Sequence, residues 1–103
     1  MLYLSRREGE AVMIGDHIRV VTTMVRRHRV CIDITLDYGL STATLQRSSL
    51  VPGKPQYIRH GMFVMLRRTS RHGAKLGFKA PDSIPVHRQE IYDKIREALH
   101  ADA

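Results

Sequence analysis

Apolar and polar positions alternate through residues 1–7, MLYLSRR, as they do along a strand. Leu2, Leu4 and Arg6 share one face, and Tyr3, Ser5 and Arg7 the other. The polar EGE that follows breaks the pattern, with Gly9 suited to a turn. Residues 11–25, AVMIGDHIRVVTTMV, are rich in β-branched side chains, and Gly15-Asp16 sits between two extended runs as a tight bend would. Alternation returns in VCIDITL, which points Val30, Ile32 and Ile34 inward and Cys31 outward. The RRHR between these runs is too polar for a core and reads as a hairpin tip.

The same layout recurs 44 residues later, when IRVVTTMVRRHRVCIDI is set above MFVMLRRTSRHGAKLGF. Val20 then meets Val64, Arg27 meets Arg71, His28 meets His72, Ile32 meets Leu76 and Ile34 meets Phe78. Between the copies, residues 36–60 are rich in Ser, Thr, Gly and Pro and hold the breaker cluster Pro52-Gly53-Lys54-Pro55. They read as a linker or insertion with one short element near TATLQRSSL. Beyond the second copy, KAPDSIPV predicts a turn and then a short strand, and Pro85, lacking an N–H, suits a strand's start or edge. From about Gln89, Ile91, Ile95, Ala98 and Leu99 form one helical stripe, with Glu90 and Lys94 as a favourable i,i+4 pair.

With 103 residues the chain suits a single domain, able to bury roughly two-thirds of its unfolded surface. Six aromatics and no Trp leave few large anchors, which makes self-association a natural remedy. The formal net charge is +7, and 13 of the 17 basic residues are Arg. Arg grips phosphate or a guanine edge with a flat fork of donors, so the pairs Arg6-Arg7, Arg26-Arg27 and Arg67-Arg68 point to a polyanion partner. Cys31 is the lone cysteine, so no intrachain disulfide and no Cys-based zinc site can form, and the chain reads as cytoplasmic. The N-terminus lacks a signal-peptide pattern, and no run approaches the ~18 apolar residues of a membrane span.

Catalytic chemistry finds little support. Cys31 lies in an alternating strand and His28 at a hairpin tip, which is no nucleophile–base pair. His87 with Glu90 could move protons, but no second catalytic group accompanies them. The six histidines include no H-x-x-x-H or H-E-x-x-H, so no metal or other cofactor is assigned. LRRTS resembles a basophilic kinase target and reads more simply as a solvated hairpin arm.

The two ends of the chain carry the specific signal. Met1-Leu2, Leu4-Ser5-Arg6-Arg7, Gly9-Glu10 and Met13-Ile14-Gly15-Asp16 open it. Ala80-Pro81 and Val86-His87-Arg88-x-Glu90-Ile91-Tyr92 close it. Together these resemble the carbon storage regulator family (CsrA/RsmA), small bacterial proteins that bind messenger RNA, over residues 1–35 and about 61–99. The resemblance implies a mainly β fold of short antiparallel strands with a C-terminal α-helix, here with an extra hairpin and linker inserted. It further implies an intertwined homodimer, in which the first strand of one subunit lies beside the last strand of the other.

Each such junction would be an RNA site for a GGA trinucleotide in an mRNA hairpin loop, with small-RNA sponges as further partners. Carried onto this chain, the site is Leu4, Ser5, Arg6 and Arg7 with Val86, His87 and Arg88, and the Ala80-Pro81 turn contacting bases through its backbone. Leu4 would be an apolar ledge for a base. Arg6 and Arg7, on opposite faces of the strand, cannot both meet one ligand squarely, so one is left to phosphate, a carboxylate or solvent. Arg88 alternatively pairs with Glu90.

The chain departs from the family's compact form in having two hairpins. A single RNA-binding domain over 1–103 would divide into opening strands (1–35), the linker or insertion (36–60), and closing strands with the helix (61–99). An opening half followed by a closing half could also build one site in cis, giving a monomer with one RNA site. Asp33 and Asp82 lie near the expected RNA path and would retune affinity. The alternative function is a non-catalytic paralogue that acts through protein contacts or titrates other family members.

Overall fold

The computed structural model describes residues 1–38 and 41–100. Nine strands precede one helix. They are β1 (Leu2–Arg6), β2 (Ala11–Ile14), β3 (Ile18–Arg26), β4 (Arg29–Asp37), β5 (Thr42–Leu50), β6 (Pro55–Arg59), β7 (Met62–Ser70), β8 (Gly73–Lys79) and β9 (Val86–Arg88), followed by α1 (Gln89–His100). They form two antiparallel sheets, ordered β1-β8-β7-β6 and β5-β4-β3-β2-β9. This is the mainly β, CsrA-like architecture with a C-terminal helix that the sequence predicts.

The 44-residue offset holds residue by residue in the pairing. Val20 faces Ile34 on β3–β4 as Val64 faces Phe78 on β7–β8, and both hairpins shift register at the same step, Thr22/Met24 and Leu66/Arg68. The two halves also exchange their leading strands. β1 pairs with β8, Arg6 opposite Ala74, while β5 pairs with β4, Leu50 opposite Val30. Even the turn bonds repeat: Gly9 N–H donates to Thr22 O at 2.7 Å, and Gly53 N–H to Leu66 O at 3.0 Å.

The exchange corrects the expectation for 36–60. This segment holds β5 and β6, the second half's counterparts of β1 and β2, rather than a linker. The short element expected near TATLQRSSL is β5, exposed over most of its length with only Leu50 buried, whereas β6 starts inside the breaker cluster and was concealed by it. The part of the segment at residues 39–40 lies outside the described residues.

The core lies between the sheets. Val12, Val20, Ile32 and Ile34 come from one sheet, and Leu4, Val64, Leu66, Leu76 and Phe78 from the other. Alternation produces this core directly: β3 and β7 have the same succession of buried and exposed positions, each with three inward residues before the bulge. Cys31 is half-buried. Gly73 lets β1 approach, since a Cβ there would press on the Arg6 carbonyl. The helix stripe is not part of the core. Ile91, Ile95 and Leu99 are exposed, and α1 is held near its start, where the Tyr92 hydroxyl donates to Asp16 Oδ1 at 3.2 Å. Burial first, and Asp16 second, raises the Tyr92 pKa.

Candidate functional site

The two sheets are joined at the end of β1. Arg6 is 5 % exposed, and its guanidinium donates through Nε to Ser5 O (2.8 Å), through Nη1 to Ala11 O (3.1 Å) and Glu90 Oε1 (2.7 Å), and through Nη2 to Glu90 Oε2 (3.0 Å). Four of its five N–H groups are therefore spent inside the protein. The bidentate bond from Arg6 holds the Glu90 carboxyl at about 2, and the same bond raises the Arg6 pKa. Since β9 pairs with β2 and runs into α1, this ion pair fastens the last strand and helix to the first strand of the same chain. Glu90 thus bonds Arg6, rather than Lys94 or Arg88; the i,i+4 bond found in the helix runs from Gln89 Nε2 to Asp93 Oδ1.

An open cleft of about 560 Å³ lies over this junction. Ser5 of β1, Arg7 just after it and Arg88 of β9 line it together with Arg68 and Lys75. Ser5 pairs with Lys75, and Lys75 with Arg68, so a polar, basic row crosses three adjacent strands. The bulge at Leu66/Arg68 helps set it up: Arg67 lies over the Tyr3 ring, 5.3 Å from its centre, while Arg68 lines the cleft. Among the described residues, no side-chain hydrogen bond or ion pair holds Arg7, Arg68, Lys75 or Arg88. Glu10 is the carboxylate that enters the cleft, and its Oε1 is occupied by the Arg7 backbone N–H at 2.7 Å.

Several expected site residues are brought together here and others are not. Ser5, Arg7 and Arg88 share the cleft. Arg6 touches it from below but is committed to Glu90, and Leu4, 7 % exposed, belongs to the core rather than forming a ledge for a base. Val86 and His87 are half-buried on β9, opposite Ile14 and Met13. The Ala80-Pro81 turn follows the Lys79 end of β8, beside Leu2 and so at the far end of β1 from Arg7. Asp33 is on β4 of the other sheet, 3.6 Å from Arg47, and Asp82 is exposed in the loop before β9. Arg68 and Lys75 were missed. The Arg67-Arg68 pair was a charge signal, but only strand pairing carries it to β1.

Residues 1–40 and 57–97 match the sequence model of the global regulator protein family CsrA, which takes in β1–β4 and then the end of β6 through most of α1. The chain belongs to that family. A translational regulator CsrA of Rhodopirellula baltica is 26% identical over 106 residues, covering all of this chain and 89% of that protein. No solved structure matches the chain.

The unmatched stretch of this CsrA-family chain contains β5, which stands in the second half where β1 stands in the first. There the counterparts of Arg6 and Arg7 are Leu50 and Val51, and those of Arg68 and Lys75 are Met24 and Cys31. Among the described residues, no strand lies beside β6 as β9 lies beside β2, and the basic junction is built once.

Proposed function

We propose that this chain is an RNA-binding post-transcriptional regulator that recognises a GGA trinucleotide in an mRNA hairpin loop, and that it does so in the cleft where its own first and last strands meet. The observation that carries this reading is that Ser5, Arg7 and Arg88, from opposite ends of the chain, line one cleft over the Arg6–Glu90 clamp. Loop bases are unstacked, so their Watson–Crick and Hoogsteen edges are open to an Arg fork and to backbone groups. Arg88 reads a base edge, Arg7, Arg68 and Lys75 hold phosphates, and Arg6 positions the two strands. Val86 and His87 flank Arg88 on β9, and the Ala80-Pro81 turn offers backbone groups at the other end of β1. Binding over a ribosome-binding site would block translation or change message lifetime, and an RNA with several such loops would compete.

Electrophoretic mobility shift with a GGA-loop hairpin and the same hairpin carrying CCA tests the proposal. Tighter binding of GGA at a fixed salt concentration is expected. Equal binding of both would reduce the association to charge alone, with log affinity falling at about −0.7 per neutralised phosphate against log salt.

A further inference from the structure

A second cleft, of about 820 Å³, opens where the two hairpin tips meet. Its lining includes Arg26 and Arg27 from the β3–β4 tip, Arg71 from the β7–β8 tip, and Arg7 and Glu8 just after β1. Arg27 and Arg71 correspond under the 44-residue offset, so the cleft straddles the boundary between the halves. The tips are tied together there, with His28 N–H donating to Thr69 Oγ1 at 3.1 Å. Four arginines line the cleft against one carboxylate, Glu8, which already accepts from Val25 N–H at 2.7 Å and from Arg26 at 3.3 Å. No side-chain hydrogen bond or ion pair holds Arg27 or Arg71 among the described residues. Arg7, Ser70, His72 and Gly73 belong to this cleft and to the one over the Arg6–Glu90 clamp, so the two are continuous.

We infer that the paired hairpin tips form a phosphate-binding extension of the RNA site, gripping the backbone of the RNA strand that runs out of the recognised loop; this rests on the RNA-binding reading above. An enzyme-like small-molecule site does not suit so open and charged a surface, whereas a row of phosphates matches freely presented guanidinium forks. These contacts carry no base preference; they add affinity and register while the clamp supplies selectivity.

The test compares the parent chain with R27A/R71A and R27K/R71K, on a GGA-loop hairpin with a full stem and on a short unpaired RNA that carries GGA alone. Both arginines are exposed, so the fold survives their loss. R27A/R71A is expected to bind the hairpin roughly tenfold more weakly, with a slope of log affinity against log salt shallower by about 1.5, the share of two phosphates. Its preference for GGA over CCA and its affinity for the short RNA stay as in the parent, and R27K/R71K recovers the salt slope. An unchanged slope on the hairpin, or an equal loss on the short RNA, overturns the inference. Parent chain that binds GGA and CCA loops alike refutes loop recognition alone, and the slope difference between parent and R27A/R71A still decides the role of the tips.

Discussion

Arg6 ends β1 and Arg7 follows it, and their opposite directions give them opposite duties. Arg6 turns inward and spends its donors on Glu90 and two carbonyls, while Arg7 turns out beside Arg88. Replacing Arg88 with Ala should therefore remove discrimination between GGA and CCA loops, about 1–3 kcal/mol for a good bidentate contact, with little change in stability. Mobility shifts on both RNAs check it, and a variant with full selectivity would refute the role given to Arg88. Replacing Glu90 with Gln should act through stability, because it removes the bidentate counter-charge of a buried guanidinium and leaves only Glu10, 4.0 Å from Nε. The folded carboxyl titrates near 2 and the free one at 4.5, so the native clamp is complete above pH 4.5 and is lost as pH falls through 2. Denaturant unfolding of the two proteins should show a stability gap that is constant from pH 8 to 5 and closes on approach to pH 2.

Among the elements, the decisive contact is the pairing of β1 with β8. Five residue pairs hold it, and at its end the Gly73 backbone lies so close to Arg6 that any side chain would force the strands apart. Gly73→Ala should cost about 1–3 kcal/mol. Gly53→Ala, in open space at φ 83°, should cost only the left-handed penalty of about 1 kcal/mol. Urea midpoints of the two variants check this ranking, and RNA affinity should fall with Gly73→Ala alone. The helix contributes mainly through its first residues, since Glu90 and Tyr92 reach β1 and the β2–β3 bend while Leu99 is 68 % exposed.

For the whole molecule, the exchange of β1 and β5 means that each half completes the other's sheet. The first and last strands, which the family resemblance set side by side across two subunits, are not paired here: β1 pairs with β8 and β9 with β2. The Arg6–Glu90 bond joins them within one chain, and the counterparts of Arg6 and Arg7 in the second half are Leu50 and Val51. Light scattering of the purified protein with a GGA-loop hairpin should accordingly give one chain and one RNA per complex. A dimer carrying two hairpins would overturn the single-site arrangement.

Alternating apolar positions determined most of the strands by themselves, because a strand's inward face follows from a period of two wherever one side is buried. The 44-residue offset, the opposite faces of Arg6 and Arg7 and the terminal motifs were equally legible, being local in sequence. β5 was legible only as a short element near TATLQRSSL, and β6 not at all, because it begins in the Pro/Gly breaker cluster; nor was the burial of Leu4 and Arg6, whose partners lie on β8 and α1. Only the tertiary structure decided which first strand stands beside Arg88. Strand pairing joins backbone groups that are common to every residue, so no side-chain pattern specifies whether β1 closes on its own chain; here the turns and the register of β1 on β8 bring Arg7 and Arg88 of one chain to the same cleft.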